Sequence, residues 1–160
     1  MKKLFYFLMA LPLALSFASC DDDDDKLPDV SLSINVEGVQ KADGIYYAVK
    51  GDTITVQSIE LINNTDKRGT LGAYTIYWDG IRMYTTNIYT DPLCIIDTNE
   101  VPFGLIGTHR LTIAAEIAVE DYPLCIGAAE YRVKVVETAE EIPDNSVTPE
   151  PDPTMVRIDR

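Results

Sequence analysis

The chain has 160 residues and a formal charge of −13, with 26 acidic against 13 basic side chains. A nucleic-acid partner requires a cluster of Lys and Arg against its phosphates, so this charge argues against nucleic-acid binding. It also argues against electrostatic attachment to anionic lipid headgroups, and the length suits a single folded domain.

The N-terminus has the layout of a secretory signal peptide. Two lysines follow the initiator Met, residues 4–17 are apolar, and the small pair Ala18-Ser19 precedes Cys20. As a helix this apolar run would be about 21 Å long, short of the roughly 30 Å hydrocarbon core of a bilayer. A signal peptide over residues 1–19 is therefore the better interpretation, with a transmembrane anchor as the alternative.

The sequence Phe17-Ala18-Ser19-Cys20 resembles the lipobox of bacterial lipoproteins, although that family usually has Leu where Phe17 stands. In the family the cysteine thiol is lipidated and the leader is removed just before it. The resemblance implies a mature protein that begins at Cys20 and is held to the membrane by a diacyl or triacyl anchor, which binds far more firmly than one acyl chain. Ordinary cleavage that leaves a free Cys20 is the alternative.

An acidic run follows the lipobox: Asp21, Asp22, Asp23, Asp24 and Asp25. Like charges repel one another, so residues 20–29 are predicted to form a solvated tether. With Lys26 the run also matches a protease-tag sequence, but its position directly after Cys20 favours a native origin. Acidic residues at this place resemble a cell-surface export signal of outer-membrane lipoproteins, whereas in enteric-type bacteria Asp beside the cysteine favours inner-membrane retention. The expected location is the surface of the outer membrane.

Apolar and polar residues alternate with period two over residues 30–136, which predicts an all-β domain. The first strand, residues 30–36, directs its apolar residues to one face: Val30, Leu32, Ile34 and Val36. Further strands are expected at 45–49 and 53–61. In the last of these the apolar residues change face half-way, which predicts a bulge near Gln57 and Ser58. Residues 63–72 are polar and are expected to form a long loop.

Two strands, residues 73–78 and 81–86, flank Asp79-Gly80. A two-residue Asp-Gly connection favours a type I′ hairpin, because both central residues need positive φ. The hairpin register places Trp78 opposite Ile81. The predicted core face consists of Tyr74, Ile76, Trp78, Ile81 and Met83, and the predicted outward face carries Tyr77 and Tyr84.

The rest of the domain contains a short strand at 92–96, a long alternating strand at 110–119, a loop at 120–127 and a last strand at 129–135. About seven or eight strands separated by turn signals indicate a β-sandwich. Residues 137–160 are acidic and rich in proline, and they are predicted to be a mostly disordered tail.

Four short segments resemble bacterial immunoglobulin-like modules: Tyr77-Trp78-Asp79-Gly80, Asp91-Pro92, Ile96-Asp97-Thr98 and Gly107-Thr108-His109-Arg110-Leu111. The resemblance covers residues 73–119. It implies one immunoglobulin-like β-sandwich of about seven to eight antiparallel strands, in which the Asp-Gly turn joins strands C and C′. Such modules serve as spacers, adhesion units or binding units, and the family supplies no catalytic residues.

Cys94 and Cys125 are the cysteines that remain besides Cys20. Outside the cytoplasm a disulfide can persist. Under the immunoglobulin-like resemblance both residues lie near strand starts at the same end of the sandwich, which makes a bridge between them a hypothesis. Two small buried thiols that never meet are the alternative.

No catalytic or metal site is predicted. The single histidine, His109, is expected to make a structural hydrogen bond at a strand entry. With two cysteines it cannot supply a usual zinc set, and the aspartates lack the spacing of a calcium loop. Residues 104–107 lack the Lys-Ser/Thr that completes a phosphate cradle. We therefore expect neither a cofactor nor an enzymatic activity.

The outward aromatic residues suggest a function. Tyr77 and Tyr84, and one of Tyr46 and Tyr47, are expected to face solvent, where tyrosines suit stacking on sugars or anchoring a protein. Cross-strand stabilisation is the alternative role for them. The leading hypothesis is a lipid-anchored, non-catalytic binding or adhesion module for a glycan or a protein. The alternative is a structural subunit of an outer-membrane or surface complex with no free ligand.

Overall fold

The computed structural model describes residues 26–150, 152–154 and 157–159, so the predicted signal peptide, Cys20 and the aspartates from Asp21 to Asp25 lie outside the described residues. The described chain is all-β apart from one turn of 3-10 helix at Ala139–Glu141. Its strands are β1 (Val30–Glu37), β2 (Gln40–Ala42), β3 (Ile45–Val49), β4 (Thr53–Asn63), β5 (Gly69–Trp78), β6 (Ile81–Thr86), β7 (Cys94–Asp97), β8 (Gly107–Val119), β9 (Cys125–Val136), β10 (Asp152–Thr154) and β11 (Arg157–Asp159). Within the described residues, no helix has the length and apolar character needed to cross a bilayer.

The strands form two sheets. The first has the order β10-β1-β4-β7, and the second has the order β2-β3-β9-β8-β5-β6, with β11 beside β9. The buried apolar side chains of both sheets form one core, which confirms the predicted sandwich-like arrangement. The expectation of antiparallel pairing throughout is wrong, because β3 runs parallel to β9. The chain leaves the first sheet after β1 and joins the second through β2 and β3, so no hairpin links β1 to β3.

The predicted inner residues of β1 are all buried, and the predicted bulge in β4 is present. Asn35 pairs with Ser58, but Val36 pairs with Val56, so Gln57 is the extra residue of the bulge. Because the bulge changes the phase of the strand, Ile59 and Ile54 can both point into the core. Their side chains are 6% and 0% exposed.

The Asp-Gly hairpin is present, but a second bulge was not predicted. Asp79 and Gly80 have φ of 49° and 78°, and Trp78 pairs with Ile81 as expected. Ile76 pairs with Tyr84, so Met83 is an extra residue in β6. One extra residue moves every later side chain to the other face of the strand.

This bulge overturns part of the predicted core face. Tyr84 lies on the face of Ile76 and its ring contacts that of Tyr74 at 5.9 Å, so the prediction that Tyr84 and Tyr77 share an outward face is wrong. Ile81 was predicted to be buried, yet it is 61% exposed. It lies on the edge strand β6, next to the turn, and the core does not reach it.

The loop predicted at residues 63–72 is shorter in the structure. β4 continues to Asn63 and β5 begins at Gly69, which pairs with Val119 of β8. Asn63 shapes the remaining loop: its Oδ1 accepts hydrogen bonds from the backbone and hydroxyl of Thr65, and its Nδ2 donates to the Lys67 carbonyl at 2.8 Å. The loop predicted at 120–127 is likewise shortened, because β9 already begins at Cys125.

The start of the folded part lies beside the 64–68 loop. Pro28 is buried, and the Asp29 carbonyl accepts a hydrogen bond from the Asn64 backbone at 3.0 Å. β5 runs away from this loop towards the Asp79-Gly80 turn. The predicted tether therefore enters at the end of the sandwich opposite to the hairpin turn.

The prediction of a mostly disordered tail is not borne out for residues 138–147. Lys41 and Val147 exchange two backbone hydrogen bonds of 2.7 and 3.0 Å. Ile142 packs against Tyr47 and Val136 on the outer side of the second sheet. Tyr47 therefore points out of the sandwich but is covered, whereas Tyr46 points into the main core, and both are less than 10% exposed.

Candidate functional site

His109 joins the hairpin turn to the 98–107 loop. Its Nδ1 lies 2.7 Å from Asp79 Oδ2, and its Nε2 lies 2.6 Å from the Leu105 carbonyl oxygen. Its ring stacks on the Trp78 ring, and the two ring centres are 5.1 Å apart. Both polar partners are oxygen atoms that can accept, so both ring nitrogens are engaged in hydrogen bonds. The structural hydrogen bond expected for His109 is present, and neither nitrogen is left to move a proton.

Asp79 also organises the strand after the loop. Its Oδ1 accepts a hydrogen bond from the Arg110 backbone at 2.8 Å. Partial burial opposes ionisation, but the hydrogen bonds from His109 and from the Arg110 backbone outweigh it and hold the pKa of Asp79 below its ordinary value. The carboxylate therefore stays charged at neutral pH.

Cys94 and Cys125 are both free thiols, which agrees with the alternative of two separate thiols and not with the hypothesised bridge. Cys94 begins β7 in the first sheet and pairs with Val56 of β4, whereas Cys125 begins β9 in the second sheet, opposite Ile117. The Cys125 thiol lies 3.6 Å from the Ile117 carbonyl oxygen. Burial raises the pKa of both thiols, which disfavours the reactive thiolate.

Groups of His, Cys, Asp and Glu large enough to hold a metal ion do not occur among the described residues.

Tyr77 lies half-buried on the outer face of β5, between Thr112 of β8 and Arg82 of β6. The structure thus leaves Tyr77 as the outward aromatic residue of the hairpin and brings Tyr84 towards Tyr74 instead.

A polar cleft of about 440 Å³ lies beside the bulge of β4, and we call it the bulge cleft. It was not predicted as a site, although the predicted bulge marked its position. Bulges commonly re-aim side chains next to functional sites. The cleft is lined by Asn35, Glu37, Gln57, Ser58, Tyr89, Thr90, Asp91 and Leu93.

The segment after β6 forms the outer wall of the bulge cleft. The Tyr89 hydroxyl donates to the Gly72 carbonyl at 2.8 Å, and its ring contacts that of Tyr74 at 4.9 Å. Burial and the Glu116 carboxylate raise the pKa of Tyr89, so its hydroxyl remains a neutral donor. The Leu93 backbone then donates to the Val56 carbonyl, which fixes the wall against β4.

The floor of the bulge cleft has one unsatisfied acceptor. Gln57 Nε2 donates to Glu37 Oε2 at 2.9 Å, and Asn35 Nδ2 lies 3.4 Å from Glu37 Oε1. Gln57 Oε1 is buried and has no hydrogen-bond partner among the described residues. Since a buried polar atom without a partner is unfavourable, a ligand donor would be stabilised here once a small shift of the Gln57 side chain lets it reach this oxygen.

A second cleft of about 350 Å³ lies on the outer face of the other sheet, and we call it the arginine cleft. It is lined by Asp79, Gly80, Thr108, His109, Arg110 and Arg132.

No protein-family model matches the chain, and no curated protein and no solved structure is detectably similar to the chain.

Proposed function

We propose that this protein is a lipid-anchored, non-catalytic binding module of the bacterial cell envelope, whose one immunoglobulin-like domain binds a neutral glycan in the bulge cleft. The lipobox-like sequence ending at Cys20 and the acidic run after it support attachment to the outer membrane with the domain on the cell surface. The entry of the chain at one end of the sandwich fits a domain that stands on such a tether.

The strand order supports the immunoglobulin-like assignment. β1, β4 and β7 correspond to strands A, B and E, and β9, β8, β5 and β6 correspond to G, F, C and C′. Trp78, at the end of the strand that corresponds to C, is 0% exposed, as the core tryptophan of this family would be.

The observation that carries the glycan proposal is the unpaired Gln57 Oε1 in a cleft that is otherwise polar. A sugar hydroxyl both donates and accepts, so it can satisfy this oxygen and also reach the hydroxyls of Ser58 or Thr90. The Tyr89 ring, 40% exposed, offers an apolar face for a sugar ring. The carboxylates of Glu37 and Asp91 disfavour an acidic ligand here, which is why the proposed glycan is neutral.

The side chains that enzymes commonly use for catalysis are engaged in other contacts or unreactive here, which supports a non-catalytic role. Both nitrogens of His109 are engaged, and burial raises the pKa of both thiols. In the bulge cleft both oxygens of Glu37 face amide donors. These groups are therefore occupied in holding the structure rather than available for proton transfer.

The test is binding of the full chain to an array of neutral glycans, followed by titration calorimetry on the best ligand. Gln57→Met removes the amide but keeps the length of the side chain. We expect it to weaken binding by roughly tenfold or more. Stability should change little, because the exposed hydrogen bond to Glu37 is lost but the unpaired acceptor disappears with the amide. The matched control is Gln40→Met on β2, in the other sheet. Undiminished binding by Gln57→Met would refute the bulge cleft as the site.

One observation favours the alternative, a structural subunit of an envelope complex. Ile81, Leu105 and Ile106 are each at least half exposed. The hydrogen bonds of His109 hold the turn before Ile81 and the loop with Leu105 together, at the end opposite to the tether entry. Crosslinking in native membranes distinguishes the two functions: one stoichiometric partner that is lost on Ile81→Ser and Leu105→Ser, together with no glycan hit, supports the subunit.

A further inference from the structure

The arginine cleft contains two like charges in direct opposition. Arg110 of β8 and Arg132 of β9 are cross-strand partners on the outer face of the second sheet. Residues paired in this way have Cβ atoms about 4.5–5.5 Å apart, and like charges so placed are destabilising. The fold itself therefore gains nothing from this pair.

Two acids lie near the two guanidinium groups, and only Glu130 forms an ion pair with one of them. Arg110 Nε lies 3.4 Å from Glu130 Oε1, in an exposed pair that contributes little. Arg132 makes no ion pair or hydrogen bond with any residue in the described part of the chain. The Asp79 carboxylate lines the cleft, but its two oxygens accept from His109 and from the Arg110 backbone.

Other side chains on the same face reinforce the positive charge. Arg82 lies beyond Tyr77. Lys134 pairs with Thr108 one row away from the two arginines, and its Nζ lies 5.8 Å from the centre of the Tyr47 ring. The chain as a whole is strongly acidic, but at physiological salt the Debye length is about 8 Å, so the local charges dominate at the cleft. An anionic group is therefore the ligand that the cleft favours.

The residues beside the two arginines indicate what carries the anion. Tyr77 lies in the next outward row of the sheet, where it pairs with Thr112, and it is half-buried. Its ring can stack on a sugar, while Thr108 is exposed at the opposite side of the cleft and can bond a sugar hydroxyl. Two planar guanidinium groups suit a carboxylate, which they bind in a bidentate manner.

We propose that the arginine cleft is a second binding site, for the carboxylate of an acidic sugar whose ring stacks on Tyr77. The site goes beyond the proposed neutral-glycan site, because it lies on the other sheet and selects a ligand of opposite electrostatic character. Arg110 and Arg132 bind the carboxylate, and Tyr77 and Thr108 select the saccharide that bears it.

The experiment is titration of the full chain with trigalacturonate, with the neutral trisaccharide of galactose and with inorganic sulfate. We expect trigalacturonate to bind, with an affinity that falls as salt is raised, and the neutral trisaccharide not to bind at this site. Arg132→Gln should weaken trigalacturonate binding by roughly tenfold or more. Arg68→Gln, which changes an exposed arginine at the far end of the sandwich, is the matched control and should change nothing.

Two further variants separate binding from folding and from the bulge cleft. Arg132→Glu places opposite charges across β8 and β9, so it should abolish binding while the melting temperature stays the same or rises. Tyr77→Ala should weaken trigalacturonate but leave sulfate binding unchanged, and Gln57→Met should leave trigalacturonate binding intact.

Three results would overturn the proposal. The first is equal binding of the neutral and acidic trisaccharides by Gln57→Met, in which the bulge cleft no longer contributes. The second is unchanged affinity in Arg132→Gln. The third is sulfate binding as tight as that of trigalacturonate together with no effect of Tyr77→Ala, which would show a simple anion site and not a site for an acidic sugar.

Discussion

Asp79 and His109 are joined by a hydrogen bond across 30 residues of sequence, and Asp79 has two tasks at once. Its backbone forms the first position of the type I′ turn, and its carboxylate holds the His109 imidazole and the Arg110 backbone. The sequence signals for the turn and for a structural histidine were readable separately. The contact between Asp79 and His109 could not be predicted, because it depends on how the hairpin and β8 lie side by side.

Asp79→Asn tests this pair without disturbing the turn, because Asn also tolerates positive φ. The variant replaces the charged acceptor of the hydrogen bonds from His109 and the Arg110 backbone by a neutral one, so we expect the free energy of unfolding at pH 7 to fall by about 1 kcal/mol, a small value since Asp79 is partly exposed. The pKa of Asp79 is lowered in the folded state. Its contribution is therefore present above about pH 4 and is lost as pH falls through the lowered value.

Urea unfolding of the natural chain and of Asp79→Asn between neutral and strongly acidic pH provides the measurement. The two stabilities should converge as pH falls. Curves that stay parallel over this range would show that the Asp79 carboxylate contributes nothing through its charge.

At the scale of the strands, the two bulges show why one was predictable and the other was not. In β4 the apolar residues before and after Gln57 lie on alternate positions that are offset by one residue. Because residues on both sides of Gln57 are buried, this offset can be seen in the sequence. In β6 the residues Ile81, Met83 and Thr85 keep a plain period of two, so nothing in the sequence marked Met83 as extra. An edge strand that buries little imposes little pattern on its own sequence. The bulge cleft was therefore partly predictable, and the positions of Tyr77 and Tyr84 were not.

The crossing from the first sheet to the second depends on Gly38. Its φ is 76°, and a Cβ at this position would lie 1.9 Å from the Thr53 carbonyl oxygen. Gly38→Ala should lower the free energy of unfolding by roughly 2–4 kcal/mol, because the backbone conformation and the contact are both unfavourable. Gly80 is the matched control: its φ is 78°, but a Cβ there meets nothing within 4 Å. Gly80→Ala should cost only about 1–2 kcal/mol.

Denaturant midpoints of the two alanine variants at equal protein concentration give the comparison. Equal losses for Gly38→Ala and Gly80→Ala would mean that only the backbone conformation matters and that the close approach to Thr53 does not.

At the scale of the whole molecule, the surfaces described above lie on different parts of the sandwich, except that the arginine cleft adjoins the hairpin turn. The chain enters beside the 64–68 loop, the exposed apolar residues of the hairpin turn and the 98–107 loop lie at the opposite end, and the two clefts belong to different sheets. Period-two alternation, together with the turn signals between the strands, was enough to predict the two-layer sandwich. It could not predict the parallel pairing of β3 with β9 or the docking of residues 138–147, because both are contacts between distant segments that leave no local periodicity.

The docked tail provides a test of this last point. Tyr47 is 8% exposed and Val136 is 0% exposed, and Ile142 packs against both of them on the outer side of the sheet. Ile142→Ser should therefore lower the free energy of unfolding by about 1–2 kcal/mol, since it uncovers apolar surface. Val147→Ser is the matched control, because the Val147 side chain is 62% exposed and only its backbone bonds Lys41. Equal stabilities of the two variants, or cleavage within residues 138–147 as fast in the folded chain as in denaturant, would restore the prediction of a disordered tail. Slow cleavage together with a loss confined to Ile142→Ser would instead show that the acidic segment is part of the folded domain and closes its outer face over Tyr47.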